Sequence, residues 1–115
     1  MKPLNAVDLR HQLKIRRKTS VDSLKGGYVT SWPVVASPWA EVTGLDGRES
    51  VMDQVLQGIS VYRIRIRWRG DIAPQDQVRF GSIDLNIKSA VDPDGKRQQL
   101  VIMADTAGVE LMADG

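Results

Sequence analysis

The strongest constraint on the fold is a run of strict alternation in the second half of the chain. Residues 62–69 read Tyr-Arg-Ile-Arg-Ile-Arg-Trp-Arg, so that every second residue is an arginine. Because successive side chains of a β-strand point to opposite faces, a period of two predicts a strand with one apolar face and one face of guanidinium groups. This segment is therefore predicted to be a long strand that covers a hydrophobic core.

A β-hairpin is predicted directly after this strand. Residues 77–80 and 83–89 have strand character, and the two residues between them, Gly81 and Ser82, form the Gly-X pair that a type II′ turn requires. Pairing Phe80 with Ile83 puts apolar residues together on one face. The same register puts Arg79 opposite Asp84 on the other face.

A second turn is predicted at residues 92–95, where Asp-Pro-Asp-Gly supplies a capping carboxylate, a fixed φ and a flexible exit. A four-residue loop would place Ile87 opposite Leu100 and Leu85 opposite Ile102 on the apolar face. Val101 and Met103 then lie on the other face of the last strand. Such apolar residues need a cover, which could be the helix, the C-terminal tail or a neighbouring subunit.

The first half of the chain has weaker patterns. Residues 9–15 alternate and predict a first strand with His11 on its apolar face, and residues 39–43 predict a short second strand. The segment from Lys18 to Pro38 contains two glycines and two prolines and is expected to be a long irregular loop. One helix is expected within 47–57.

The signals for this helix are its caps and its apolar stripe. Asp46 is a plausible N-cap with Glu49 at capping-box spacing, and Gly58 can end the helix. Val51, Met52, Val55 and Leu56 would form one apolar stripe.

These elements predict an all-β protein: a small antiparallel β-barrel or sandwich of about six strands, with one short helix and a long loop. A single domain is expected over residues 1–115, with residues 1–8 and 105–115 as flexible tails. The predicted core comprises Leu13, Ile15, Ile64, Ile66, Trp68, Val78, Phe80, Leu85, Ile87, Leu100 and Ile102.

Composition removes several classes of function. The chain has no cysteine and one histidine, which excludes thiolate sites and multi-histidine metal sites. Nucleotide-binding, metalloprotease and hydrolase motifs are absent, and no apolar run is long enough to cross a membrane. No secretory leader is visible, so folding in a cytoplasm is expected. We expect no enzyme activity, no catalytic residue, no metal and no cofactor.

Charge is banded along the sequence although the net charge is only +2. Residues 1–25 carry a net +5, 26–58 carry −3, 59–91 carry +3 and 92–115 carry −3. Such bands suit a protein that meets copies of itself or a charged partner, but an ordinary mixed surface would also produce them.

The arginines of the long strand are the sharpest candidate for a binding site. Arg63, Arg65 and Arg67 could be paired with acids on neighbouring strands, could form ion pairs between subunits, or could follow a phosphate backbone. Trp39 and Trp68 are expected to pack in the core. Trp32 lies in the long loop and could anchor it or reach a partner.

The order of several motifs resembles a known family. The motifs are Leu-Arg-His-Gln-Leu-Lys-Ile at 9–15, Gly-Gly at 26–27, Trp32, Trp-Ala-Glu-Val at 39–42, Gly-Arg-Glu at 47–49, the arginine strand at 62–69, Asp-Ile at 71–72, Gln-Val-Arg-Phe at 77–80 and Asp-Leu-Asn-Ile at 84–87. Together they resemble the head–tail joining proteins of tailed bacteriophages, also called head-closure, stopper or adaptor proteins. Trp68 departs from the smaller aromatic residue that the family often has there.

The resemblance implies a structural virion protein that forms a homo-oligomeric ring at the head–tail junction. Such a ring would bind a portal or adaptor ring above and tail proteins below, would close the DNA-filled head, and would contact packaged double-stranded DNA transiently and without sequence specificity. No membrane partner is expected.

Within this frame, Trp32, Arg63, Arg65, Arg67, Val101 and Met103 are candidate subunit or partner contacts. The acidic segment with Asp46, Glu49 and Asp53 is a candidate for the channel or for the tail-facing rim. An oligonucleotide-binding barrel and a tail-completion protein remain as alternatives.

Overall fold

The computed structural model describes residues 4–24, 26–47 and 52–107. It contains a 3-10 turn at Ala6–Asp8 and one short helix, α1, at Met52–Leu56. The strands are β1 His11–Gln12, β2 Lys14–Arg16, β3 Thr19–Ser23, β4 Gly27–Ser31, β5 Val34–Ala36, β6 Trp39–Gly44, β7 Val61–Arg67, β8 Gln77–Phe80, β9 Ile83–Val91 and β10 Gln99–Asp105.

Eight of these strands form one antiparallel sheet that curls into a barrel-like structure. Their order is β1-β6-β7-β10-β9-β8-β2-β5. Only Leu13 separates β1 from β2, and its N–H donates to the Pro38 carbonyl at 2.9 Å, between the β1–β6 and β2–β5 pairings. Because β2 also pairs with β8, the extended segment of β1 and β2 links the two ends of the sheet. Strands β1 and β2 form one extended segment, as do β5 and β6, so the eight strands amount to about six, the number that the sequence predicts.

The core lies inside this curled sheet and is built from the inward residues of each strand. Ile64 and Ile66 of β7 are fully buried, as are Leu13, Ile15, Val78, Leu85 and Ile102. Phe80 is partly buried and packs against the same cluster. The alternation in β7 thus has the predicted dry face.

The hairpin between β8 and β9 has the predicted register. Val78 pairs with Leu85, Arg79 with Asp84, and Phe80 with Ile83. Gly81 has a φ of +60°, the left-handed conformation that glycine adopts without the steric penalty of other residues. The turn chemistry and the two-residue spacing together fix this pairing.

The predicted register between β9 and β10 is wrong. Ile102 pairs with Ala90 and Ala104 pairs with Ile87, rather than Leu100 with Ile87. Two features cause the difference. The connection is longer than four residues, with the Arg97 N–H donating to Asp92 Oδ2 at 2.7 Å, and a β-bulge at Lys88 shifts the inward position from Ile87 to Ala90.

The segment from Lys18 to Pro38 is not an irregular loop. Strands β3 and β4 form a two-stranded antiparallel hairpin, and β5 joins the main sheet. The Arg17 N–H donates to the Pro33 carbonyl at 3.1 Å, which connects the β2–β5 pair to the hairpin. We call residues 18–32 the arm, because it continues two barrel strands beyond the core.

The first predicted strand is interrupted and His11 is not on a buried face. Leu13 and Ile15 are buried, but His11 is exposed and meets Phe80 edge-on with 5.0 Å between ring centroids. The barrel is open at this end, where β1 contributes only two residues. The alternation of residues 9–15 did not reveal that burial ends at Leu13 and does not include His11.

The helix region agrees in part with the prediction. Gly58 follows α1 with a φ of +80°, and its N–H donates to the Val55 carbonyl at 3.0 Å. Leu56, predicted on the apolar stripe, is exposed. Val51 and Glu49 lie outside the described residues. The Asp46 carboxylate accepts a hydrogen bond from the Val61 N–H at 3.0 Å. This bond connects the loop after β6 to the first residue of β7.

The described parts of the predicted tails have secondary structure or hydrogen bonds to the rest of the chain. Residues 6–8 form the 3-10 turn and β10 extends to Asp105. Beyond β10, the Thr106 N–H donates to the Ser60 carbonyl at 3.1 Å and the Ala107 carbonyl accepts from Asn86 Nδ2 at 2.8 Å.

Candidate assembly surfaces

Arg65 is a structural residue of the sheet. Only 4% of its surface is exposed, because it lies on β7 between β6 and β10. Its Nε donates to Gln99 Oε1 at 3.0 Å and its Nη1 donates to Glu41 Oε1 at 3.2 Å. The guanidinium group thus joins three strands, the arrangement in which the arginines pair with neighbouring strands.

The other arginines of this segment differ from one another in environment. Arg63 is partly buried opposite Met103, and its Nε has no hydrogen-bond partner within the described residues. Arg67 is exposed at the end of β7. Arg69 lies beyond the strand and forms an ion pair with Asp71 at 3.0 Å. The four side chains therefore do not form one continuous basic face.

The pair of Arg69 and Asp71 shifts both titrations in the expected directions. The hydrogen bonds from Arg69 hold the pKa of the Asp71 carboxyl below its ordinary value. The same bonds raise the pKa of the Arg69 guanidinium. The charge of Arg69 is thus balanced by Asp71, whereas Arg67 is an exposed cation at the end of β7.

The two apolar residues on the outer face of β10 differ in their surroundings. Met103 packs against Leu45 and Val61, and Val55 of α1 packs against the same two residues. Val101 is partly exposed beside Val91, which is more than half exposed. Of the covers that the sequence left open, the helix thus shares an apolar cluster with Met103, and Val101 remains at the surface of the described chain.

Trp39 and Trp68 are not core residues, contrary to the sequence prediction. Trp39 is 53% exposed and Trp68 is 36% exposed. Strand β7 ends at Arg67, so Trp68 no longer follows the alternation that buries Ile64 and Ile66. Trp39 begins β6 at the same end of the barrel.

The two tryptophans line a cleft of about 490 Å³ at this end of the barrel. The Arg97 guanidinium lies 5.2 Å from the centroid of the Trp68 ring, a cation–π contact. The lining residues are Ala6, Leu9, Pro38, Trp39, Arg67, Trp68 and Arg69. We call this the Trp39–Trp68 cleft.

The arm presents apolar residues to solvent and is held at its base by an ion pair. Leu24, Tyr28 and Val29 are all more than half exposed. At the base, Arg17 Nε and Nη2 donate to the two carboxylate oxygens of Asp76 at 2.8 and 3.0 Å. The Asp76 side chain is fully buried, and its carboxylate raises the pKa of Arg17. Trp32 is partly exposed where the arm returns to the barrel.

The acidic segment is described only in part. Asp46 is exposed and holds the Val61 N–H. Glu49 and the side chain of Asp53 lie outside the described residues, so their predicted place at a channel or rim remains a prediction.

Sequence reasoning missed the arm and the cleft, although both had signals. Thr, Val and Tyr are frequent in strands, and they occur on both sides of the Gly-Gly at 26–27. For the cleft, Gly70 lies two residues after Trp68, and a Cβ at Gly70 would lie 3.1 Å from the Trp68 ring. A glycine at this spacing from an aromatic residue at a strand end indicates that the backbone passes close to the ring.

Residues 4–24, 26–47 and 52–107 contain neither a metal-binding cluster nor a membrane-spanning helix. No group of three acidic or histidine side chains there could hold a metal ion. None of the helices in these ranges has the length and apolar character needed to span a bilayer.

Comparisons with solved structures place the fold among known proteins. The solution structure of protein SF1141 from Shigella flexneri 2a is similar, with a TM-score of 0.68 and 23% identity, over 93% of this chain and 100% of that chain. A chain from the virion of a native gene transfer agent particle is also similar, with a TM-score of 0.58 and 21% identity, over 84% of this chain and 93% of that chain.

The sequence comparisons give the family. No curated protein is similar enough in sequence to count as a match. The family described as phage head completion protein matches residues 4–107, which includes nearly all of the described barrel and the whole arm. The chain therefore belongs to the phage head completion protein family.

Proposed function

We propose that this protein forms a ring in the head–tail connector, closes the DNA-filled head below the portal and presents the surface on which the tail docks. Its family membership gives it a structural part in completing the phage head. The observation that carries the finer proposal is the arm, because a head-closure subunit must hold its neighbours, and the arm extends beyond the core with its apolar side chains uncovered.

The arm suits contact with a neighbouring subunit or with the portal or adaptor ring above. Tyr28 and Val29 are exposed on β4, and Leu24 is exposed at the turn. All residues of β4 are exposed, so its apolar side chains are not part of the described core, and exposed apolar surface of this kind is typical of a protein–protein contact. Burial in a partner would remove this surface from water. Trp32, at the base of the arm, would lie near the same contact.

The acidic segment is proposed to face the channel or the tail-facing rim. Residues 26–58 carry a net charge of −3. Negative charge near DNA repels the phosphate backbone, so that the duplex can slide, whereas arginines would grip it. The burial of Arg65 and the ion pair of Arg69 support this division, since both cations are engaged with protein. Contact with packaged double-stranded DNA would then be transient and non-specific.

The two alternatives predict different partners. An oligonucleotide-binding barrel needs several basic side chains beside exposed aromatic rings. The cleft offers Trp39 and Trp68, with Arg67 at its edge and Arg97 over Trp68, but Arg65 is buried within the sheet. A tail-completion protein would assemble with tail components in the absence of a portal, which a pull-down with each component distinguishes.

The test of the proposal is the assembly of particles that carry arm variants. In Tyr28→Asp with Val29→Asp, we expect heads that package DNA but do not retain it and do not acquire tails. Val7→Asp is the matched control, since Val7 is also exposed but lies outside both the arm and the acidic segment. Particles with the arm variants that retain DNA and carry tails as wild type does would refute the role of the arm.

The acidic segment has a separate test. Charge reversal at Glu49 and Asp53 should impair DNA retention or ejection while rings still assemble. Normal packaging, retention and ejection in these variants, or a position of the segment on the outer wall away from any partner, would refute its assignment to the channel or rim.

A further inference from the structure

The Trp39–Trp68 cleft has the composition of a docking site for a protein segment. Tryptophan and arginine are the residues in which binding energy at protein interfaces is most often concentrated. Here two tryptophans and Pro38 form the apolar lining, and Arg67 lies at the edge. The monomer does not bury these rings, although other apolar residues of the same strands are fully buried.

The cleft is also positively charged. Arg67 is exposed, and the Arg97 guanidinium lies over Trp68. Neither guanidinium has an ion-pair partner within the described residues, whereas Arg69 is paired with Asp71. The complementary occupant is therefore a segment that combines apolar anchors with carboxylates.

The chain contains one such segment after its last described residue. Residues 108–115 read Gly-Val-Glu-Leu-Met-Ala-Asp-Gly, with two acidic residues and no basic residue. Val109 and Leu111 would share one face of an extended strand, with Glu110 on the other face. We propose that this segment of one subunit docks in the Trp39–Trp68 cleft of a second copy.

The distance between the end of β10 and the cleft indicates that the docked segment comes from a second copy and not from the same chain. Gln99, at the start of β10, pairs with Arg67 at the level of the cleft, and Asp105 ends β10 at the opposite end of the barrel. Six residues of strand span about 20 Å. The Ala107 carbonyl is bonded to Asn86, which pairs with Asp105, so the segment leaves from that far end.

The apolar anchors cannot return this far within one chain. Val109 lies two residues after Ala107 and Leu111 four, and a fully extended chain spans at most about 3.6 Å per residue. Their reach is therefore about 7 and 14 Å, less than the length of β10. Docking between copies has no such limit, and it joins two different surfaces in a head-to-tail contact.

A head-to-tail contact between identical subunits must close into a ring or continue as a filament. The inference thus deepens the proposed ring and rests on it for closure, but the contact itself is measurable with the isolated chain. A failure of the contact would leave the arm-based assembly standing, so the two proposals fail separately.

The test is complementation between two full-length variants, followed by sedimentation. One variant loses the cleft, through Trp39→Ala and Trp68→Ala, and the other loses the anchors, through Val109→Asp and Leu111→Asp. We expect the wild-type chain to form species larger than a dimer as its concentration rises. Each variant alone should remain monomeric, and their mixture should stop at a one-to-one dimer.

A charge exchange protects the test against misfolding of the tryptophan variant. Arg67→Glu should weaken self-association at least tenfold, and Arg67→Glu combined with Glu110→Arg should restore it. Lys14→Glu is the control, because Lys14 is exposed on β2, outside the cleft lining.

Three outcomes would overturn the inference. The first is a mixture of the two variants that contains no dimer. The second is a wild-type chain that stays monomeric and whose tryptophan fluorescence does not change when a peptide of residues 107–115 is added in millimolar excess. The third is binding of a single-stranded oligonucleotide in the cleft by a chain whose self-association the cleft variants leave unchanged.

Discussion

Truncation of Ile66 is the most direct test of the barrel core. Ile66 is fully buried on β7, where it pairs with Ala40 on β6 and Leu100 on β10. Replacement by alanine removes three carbons, which at about 0.8 kcal/mol each amounts to about 2.4 kcal/mol of lost burial. Ala40 is small and sits in a paired strand, so it cannot fill the space, and the remaining cavity raises the loss to about 3 to 4 kcal/mol.

Chemical denaturation of Ile66→Ala and of the wild-type chain measures this loss of unfolding free energy. In thermal denaturation, the melting temperature of a domain of this size should fall by about 12 °C. Val101→Ala is the matched control, because Val101 lies on the outer face of the adjacent strand and is partly exposed. Its loss should be about 1 kcal/mol. A loss below 1 kcal/mol for Ile66→Ala, or equal losses for the two variants, would refute the assignment of inner and outer faces.

Three further predictions concern local contacts. Arg17→Gln should lower the free energy of unfolding, because it leaves the buried Asp76 carboxylate with the Ala73 N–H as its remaining described partner. In chemical denaturation, adding Asp76→Asn should restore part of the lost free energy of unfolding. A double variant as unstable as Arg17→Gln alone would contradict the pairing. Gly81→Ala should cost about 1 kcal/mol in the same assay, since the added Cβ meets no atom within 4 Å and only the φ of +60° opposes it. Arg69→Gln should raise the pKa of Asp71, followed by NMR titration of its carboxyl. Because the pKa of Asp71 is lowered in the folded state, the stability that this pair contributes is present at neutral pH and is lost as the pH falls through the folded-state pKa; an unchanged titration would contradict this.

The sequence predicted those parts of the fold in which local chemistry and burial agree. In the β8–β9 hairpin, a two-residue turn and an apolar face specify the same register. In β9 they do not, because the bulge at Lys88 moves the inward position without a glycine or proline to mark it. The apolar residue at Ala90, three positions after Ile87, was the available sign of this shift.

The candidate site was harder to predict, since its residues lie where periodic patterns end. In the arm, every residue of β4 is exposed, so this strand has no buried face to produce an alternation, and the Gly-Gly turn suggested a loop. Trp68 follows the alternation of β7 in sequence but lies past the last paired residue. Periodicity predicts which side of a strand is apolar, but it does not predict where the neighbouring strands stop.

The arm and the barrel share a single two-stranded ribbon, and this has a mechanical consequence. Residues 11–23 and 27–44 remain antiparallel neighbours from the barrel through Arg17 and Pro33 into the arm. The same strands carry Leu13 and Ile15 into the core and link the two ends of the sheet. A force that a partner applies at the tip of the arm is therefore transmitted along continuous backbone to β1 and β2, the segment that joins the two ends of the sheet.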